Sequence, residues 1–552
     1  CPVTCVKLVS IAARYAADHV EEGSVREEFG MNFRAKLLAG VCFGLLAFSG
    51  TALAAAATSI ADAAQSRDVA AVRAMLTEGA NVNEAQADGA TALLWAAHFD
   101  DLELANTLIA AGADANAQND YGATPLSLAC TNANGAMVEA LLGANADPNE
   151  PGPGEESPLM LCARTGSADA VRALLARGAA VDARDSERQQ TALMWASAQG
   201  QAEAVQALID AGADIAARSR GNFTPLLFAA RNGQTDAVGV LVDAGADLEE
   251  TGPIQMTPLL LAAASGQEDT ALYLLERGAN PNAKDEYGAT ALHYTVLTGI
   301  TTLNQIRYAN YVDHLFRPNM MRLATALLDR GADPNVQVEV TPLQAGDQEE
   351  NAYGATPLLF ASAIPDPAMM HLLFDRGADA SIPTMTGLTP VMVAAGVGRG
   401  QDFTEPEKVL ALEAVQYAVS LGNDPAAANN DGLTALHGAA ANGATELVSY
   451  LVEQGADINA KDKYQQTPLS IASGLRLPWI PYGQELGEIL QPETAELLLA
   501  LGATSLDTPD YFQVPEEMTD AFRYNQSQRY GGIDPAAATP LRTPQPGAQR
   551  SE

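Results

Sequence analysis

The chain has 552 residues, 47% hydrophobic but only 6% aromatic, with a formal charge of −37 from 31 basic and 68 acidic side chains. That acidity repels phosphate backbones and anionic headgroups, so nonspecific binding of nucleic acid or of an anionic membrane is excluded. Five cysteines and six histidines occur, none at metal-ligand or redox spacing, so no cofactor or metal is expected.

Residues 1–30 fit neither a sorting signal nor the pattern that fills the rest of the chain, and read as upstream sequence foreign to the native product. Met31 then opens a secretory signal. Arg34 and Lys36 supply positive charge, LLAGVCFGLLAFSG (37–50) is the apolar core, and Ala52-Leu53-Ala54 offers a small-residue cleavage site. The apolar run is too short to span a bilayer. A lipid anchor at Cys42 is disfavoured, because Ala39-Gly40-Val41 does not fit the box that precedes one. Segment 31–54 is therefore expected to be removed on export, leaving a chain that starts near Ala55 in a bacterial periplasm or beyond it, with no membrane insertion.

From residue 58 a pattern sets in, clearest in TPLLLAAASGQEDTALYLLERGANPNAKDEYGATALH (257–293). Thr257 can cap the first free N–H groups of a helix, and Pro258 fits the first helical position, which needs no N–H. A short apolar, alanine-rich helix follows and Gly266 breaks it. A second helix over about 269–277 ends at Gly278, suited to the left-handed conformation that stops a helix. Turn residues lead to Thr290, where the pattern restarts 33 residues on. Caps recur at Thr91, Thr124, Ser157, Thr191, Thr224, Thr257, Thr290, Thr356, Thr389, Thr434 and Thr467. The closing glycine recurs 21 residues after each uninterrupted cap, at Gly112, Gly178, Gly212, Gly245, Gly278, Gly377 and Gly455, with Asn145 once in its place. A degraded copy at 58–90, keeping its second helix, brings the count to twelve. Neither helix of a unit can bury its apolar face alone, so the units must stack.

These units resemble ankyrin repeats over roughly 58–504, most closely in TPLLLAA…GANPNAKDEYGAT and in TALHGAAANGATELVSYLVEQGADINAKD (434–462). The resemblance implies an all-α solenoid of about twelve helix-turn-helix units joined by finger loops. It also implies that a partner binds the concave first-helix surface and the fingers. Tyr121, Phe223 and Tyr287, with Tyr353 and Tyr464, are the finger aromatics. His293 and His437 hold the family's fourth first-helix position, where they brace turns. The aspartates of the Gly-Ala-Asp triplets (Asp114, Asp214, Asp247, Asp333, Asp379, Asp457) lie too far apart to share a metal ion and are expected to brace turns too.

Regular units fill 55–299, and units with insertions fill 300–504. After Thr290, Thr389 and Thr467 the closing glycine is delayed by 20, 12 and 14 residues, to Gly331, Gly422 and Gly502. Each excess falls between the two helices of its unit, near 300–320, 397–409 and 475–491. A fourth insertion, 337–349, lengthens a finger. The first three occupy the seventh, ninth and eleventh capped units and should emerge on one edge. They carry residue types that anchor interfaces: Arg307, Tyr311 and Arg317 in the first, Arg399 and Phe403 in the second, Arg476, Trp479 and Tyr482 in the third. Arg399 and Trp479 are the expected centre of a composite surface.

Cys130 and Cys162 fall on the first helices of consecutive units. They are expected to be buried free thiols, because stacked helices sit about 8–10 Å apart and a disulfide needs Cα atoms within about 7 Å. The tail, 505–552, is rich in Pro, Gln, Ser and Thr and is expected to be mostly disordered. No nucleophile motif or histidine pairing points to catalysis. The expectation is a non-catalytic, monomeric scaffold that binds a protein partner. The competing expectation is a binder of a small anionic ligand at the arginine-bearing insertions.

Overall fold

The computed structural model describes residues 59–296, 319–339, 353–363, 365–398, 403–463, 465–473 and 491–504. Within them the chain folds as twelve helix pairs with no strand, odd-numbered helices being the first of each pair. The pairs are α1 (Ile60–Gln65) and α2 (Val69–Thr77), α3 (Ala92–His98) and α4 (Leu102–Ala110), α5 (Pro125–Thr131) and α6 (Gly135–Gly143), and α7 (Pro158–Thr165) and α8 (Ala168–Ala176). They continue as α9 (Ala192–Ala198) and α10 (Ala202–Asp210), α11 (Pro225–Arg231) and α12 (Thr235–Asp243), α13 (Pro258–Ala264) and α14 (Glu268–Glu276), and α15 (Ala291–Tyr294) and α16 (Met321–Asp329). The last four are α17 (Pro357–Ala363) and α18 (Pro367–Asp375), α19 (Pro390–Ala394) and α20 (Glu405–Ser420), α21 (Ala435–Ala441) and α22 (Thr445–Glu453), and α23 (Pro468–Ala472) and α24 (Pro492–Ala500).

Helix ends follow the expected chemistry. The Thr257 hydroxyl accepts from Leu260 N at 3.3 Å, and Pro258 opens the helix behind it. Gly278 sits at φ 100° and Asn145 at φ 66°, the left-handed region in which a glycine or asparagine stops a helix at least cost. The opening copy is less degraded than its sequence indicates. It keeps a first helix, α1, capped by the Ser59 hydroxyl on Asp62 N at 3.1 Å.

Each first helix packs on its own second helix and on the next first helix. The seam between first helices is lined by small side chains five and six residues after the cap, such as Ala96, Ala97, Ala129, Ala163, Ala196, Ala229, Ala230, Ala262 and Ala263, all with no exposed surface. Cys130 and Cys162 occupy two of these positions on α5 and α7, and they are not free thiols. They form a disulfide with Cα atoms 4.4 Å apart. The expectation failed because a helix spacing of about 8–10 Å is measured between axes. The Cα atoms ride about 2.3 Å off each axis. Where both face the seam and the side chains are small, they approach far closer than the axes do.

Several neighbouring fingers are joined by a backbone bond: Asp120 N to Asp88 O (2.8 Å), Arg220 N to Arg188 O (2.8 Å), Glu339 N to Tyr287 O (2.8 Å) and Lys463 N to Asp431 O (2.7 Å). Asparagines tie successive turns together as well. Asn116 accepts from Asp147 N at 2.7 Å and donates to Asn145 O at 3.1 Å. The triplet aspartates brace their own turns, as in Asp114 Oδ1 to Asn116 N and Asp457 Oδ1 to Asn459 N, both 2.9 Å.

The second helices after the expected insertions begin at Met321, Glu405 and Pro492, and residues 300–318, 340–349, 399–402 and 475–490 lie outside the described residues. Part of the second lengthens a helix. Glu405–Ser420 has 16 residues where the other second helices have nine, and Thr404 and Glu407 form a capping box at its start. Phe403 does not project from the edge; it is buried, and its N–H donates to Asn442 Oδ1 at 3.0 Å. The signal segment 31–54, the upstream segment and the tail 505–552 lie outside the described residues.

Candidate binding surface

Fingers and first helices meet at the fourth residue after each cap, the position of Trp95, Trp195 and Phe228. These rings sit half-buried or buried against the fingers. The Trp95 indole N–H donates to Gln86 Oε1 at 2.8 Å, at the base of its finger. Phe228 packs with Met194, Ala217 and Phe223, which joins one finger to two first helices. Arginines lie over these rings: Arg164 on Trp195 (4.9 Å to the centroid), Arg231 on Phe223 (5.1 Å) and Phe228 (5.8 Å), and Arg67 on Phe99 (5.3 Å). Such contacts contribute about 0.5–1 kcal/mol each at exposed sites. More to the point, they hold flat, apolar-and-cationic tiles in fixed positions. Ordering those side chains in advance lowers the entropic cost of binding.

The sequence-predicted finger aromatics separate by environment. Tyr121 stands at a fingertip, 75% exposed, its backbone N–H held by Asn119 Oδ1 at 3.1 Å. Met385 stands equally open at 74%. Tyr287 is half-buried, with its N–H on Asp285 Oδ1 at 2.9 Å. Phe223 adjoins the cap Thr224, at the position of Ala90, Ala123, Ala289 and Ala355 in four other units, and packs on Phe228 with centroids 5.1 Å apart. Asn222 takes the left-handed place before it (φ 63°), so Phe223 turns inward to tile the face. Arg307, Tyr311, Arg317, Arg399 and Trp479 lie outside the described residues, as does Tyr464.

The sequence reading missed Trp95, Trp195, Arg164 and Arg231. The signal was available: aligning the units on their caps puts Trp, Leu, Leu, Trp and Phe in one column and His98, Arg164 and Arg231 in another, three residues on.

The buried ionisable groups near the fingers are structural. Burial raises the Glu250 carboxyl, opposed by a hydrogen bond from the Thr224 hydroxyl and by the Arg218 charge. Burial likewise raises Asp285, which Tyr294 answers with its hydroxyl, and Tyr294 is itself pushed well up by burial beside that carboxylate. His293 and His437 are lowered to about 4 by burial. In each, Nδ1 accepts from the cap N–H (3.0 Å from Thr290, 3.1 Å from Thr434), and Nε2 faces a carbonyl (Val336 and Gln466, both 3.1 Å). The neutral ring satisfies both partners, so these histidines brace turns as expected.

Among the described residues there is no cluster of His, Cys, Asp or Glu able to hold a metal ion, and no helix long and apolar enough to cross a membrane. An open depression of about 560 Å³ between the units that begin at Thr356 and Thr389 is lined by Phe374, Asp379, Ser381, Leu421 and Asp424 among others and by no basic residue. It does not suit an anion.

Comparison with known proteins places this geometry. The RelA-associated inhibitor of Mus musculus is 40% identical over 62 residues, 11% of this chain and 8% of that protein. Alpha-latroinsectotoxin-Lt1a of Latrodectus tredecimguttatus is 30% identical over 156 residues, 28% of this chain and 9% of that protein. The match thus spans less than a tenth of either relative's length. Among solved structures, the human ASB11 ankyrin repeat domain is 26% identical with a TM-score of 0.36, covering 40% of this chain and 98% of its own. The ankyrin repeat domain of Bcl-3 is 25% identical with a TM-score of 0.34, covering 37% and 93%. The profile of the family described as ankyrin repeats (3 copies) matches residues 60–152, 134–219, 216–285 and 409–503, more than half of the chain. The chain belongs to the ankyrin repeat family.

Proposed function

We propose that this protein is an exported, non-catalytic scaffold that binds a protein partner across the finger-side face of its first helices and its fingers. Ankyrin repeats as a family bind protein partners. The observation that carries the reading here is the row of aromatic rings under arginines, Trp195 under Arg164 and Phe223 with Phe228 under Arg231, beside exposed fingertip residues. Tryptophan, tyrosine and arginine dominate binding energy at protein interfaces, above all where they are held in advance. Export is supported by the signal-like segment 31–54 and by the Cys130–Cys162 disulfide, because such bonds persist mainly in oxidising compartments.

The test is affinity capture of the partner from the native host by the exported protein, followed by mass spectrometry. Trp195→Ala with Arg231→Ala is expected to abolish capture with little change in helicity. Arg399→Ala with Trp479→Ala tests the insertion edge in the same experiment. Capture lost only in the insertion variant moves the site to that edge, and capture unaffected by either variant refutes the surface. N-terminal sequencing of native material tests export: a start near Ala55 is expected, and a cytoplasmic pool starting upstream of Met31 rejects it.

A further inference from the structure

Most fingers of this acidic chain carry acidic or neutral tips, such as Asp88, Asp120, Glu286 and Asp431. Two adjacent fingers differ. The one before Thr191 carries Arg184 and Arg188, the one before Thr224 carries Arg218 and Arg220, and all four are exposed. The bond from Arg220 N to Arg188 O, 2.8 Å, fixes these two fingers side by side. Their guanidinium groups rest on carbonyls: Arg184 Nη1 on Arg218 O at 2.6 Å, Arg218 Nη1 on Thr251 O at 2.8 Å, and Arg220 Nη2 on Ser186 O at 3.3 Å.

Among the described residues, none of the four has a carboxylate oxygen within 4.0 Å. The neighbouring acids are committed elsewhere. Asp185 is buried and accepts from the N–H groups of Arg188, Gln189 and Gln190. Asp182 accepts from Asp214 N, and Asp214 from Ala216 N. Glu250 takes the Thr224 hydroxyl and feels Arg218 from a distance. Glu187 is the remaining exposed acid of these tips. Phe228 is joined to the second finger through Ala217 and Phe223, and Trp195 holds the same position one unit earlier.

We propose that this face binds an acidic peptide segment of the partner, with carboxylates on the four finger arginines and an apolar side chain against Trp195 and Phe228. Planar guanidinium groups match carboxylates with two parallel hydrogen bonds. The adjoining rings supply the apolar anchor. A long polyanion such as nucleic acid would run onto the surrounding acidic surface and be repelled, whereas a short acidic segment stays within the patch. This inference rests on the scaffold reading and adds the chemistry of what the scaffold holds.

The experiment is selection of a random dodecapeptide display library on the intact protein and on its Arg188→Glu, Arg220→Glu variant. These two side chains make the fewest bonds within the fold, and unchanged helicity and melting establish that the variant is folded. The expected result is enrichment of Asp- and Glu-rich peptides containing an aromatic residue or leucine. A synthetic representative is expected to lose affinity about tenfold or more in the variant, roughly 1.4 kcal/mol, and to weaken with added salt. Enrichment of neutral or basic peptides, or acidic peptides indifferent to the variant, overturns the proposal and leaves the scaffold reading standing. No enrichment on the parent overturns both. A thymidine oligonucleotide that binds more tightly than the selected peptides, and is lost in the variant, overturns the proposal in favour of nucleic acid.

Discussion

Cys130 of α5 and Cys162 of α7 form a disulfide with Cα atoms 4.4 Å apart and no exposed surface on either residue, stitching two consecutive units through their small-residue seam. The bridge is not an isolated contact. The Thr165 hydroxyl donates to Cys130 O at 2.9 Å from the same neighbouring helix, so the seam is pinned twice.

Replacing both cysteines by alanine is expected to lower stability by about 3–4 kcal/mol, the loop-closure contribution for the 32-residue separation. Urea unfolding with and without the double substitution measures it. Partial unfolding is expected near α5 to α7, because stability in a repeat array is a sum of local units and interfaces. Peptide mapping that finds both thiols free in native material contradicts the bond outright.

His293 and His437 make stability depend on pH. Their folded values, about 4, lie below the ordinary 6.5, so between these the unfolded chain binds more protons than the folded one. Stability from the neutral rings is complete above pH 6.5 and is lost as pH falls toward 4, at about 1.4 kcal/mol per pH unit for each histidine. Denaturant midpoints at pH 7 and 5 should show the fall. His437→Ser, which puts there the residue that Ser127 and Ser470 already are in the same capping box, should reduce the slope whatever it does to the level. An unchanged slope would mean that the ring is not buried neutral.

Tyr294 donates to the buried Asp285 carboxylate, whose other oxygen is held at 2.9 Å by both Tyr287 N and Ala289 N. Tyr294→Phe is therefore expected to cost about 1–3 kcal/mol, the penalty of a buried acceptor left short of a donor. Thermal melting in the parent and in an Asp285→Asn background separates the pair from simple packing. Equal costs in both backgrounds would show that the hydroxyl contributes nothing through Asp285.

The helix stops and starts differ in what they tolerate. Gly245 (φ 94°) and Gly278 (φ 100°) have open space where a Cβ would go, so Gly278→Val tests backbone conformation alone and should cost on the order of 1–2 kcal/mol. Thr257→Ala should cost about 1 kcal/mol through the lost cap. Valine variants that unfold like the parent would show that these positions leave the left-handed region in solution.

The sequence by itself determined the repeat, because the determinants of each unit are local. A threonine hydroxyl three residues from an N–H, a proline that needs no donor and a glycine at positive φ act within one turn of chain, and all recur at fixed spacing. The same locality gave the bracing roles of His293, His437 and the triplet aspartates. What only the tertiary structure decided is how units meet. Whether Cys130 reaches Cys162 depends on which sides of two helices face one seam, and axis spacing alone gave the wrong answer. Phe223 turns inward and Tyr121 stays open because they flank the same left-handed position, two residues before the cap: Tyr121 precedes Gly122 (φ 78°) and Phe223 follows Asn222 (φ 63°), although both rings look alike in a list of finger aromatics. The four arginines at 184, 188, 218 and 220 stand 30 residues apart in pairs and make one patch only because backbone hydrogen bonds lay one finger beside the next. Stacking sets these relations, and stacking is a sum of weak contacts between units that no single unit encodes.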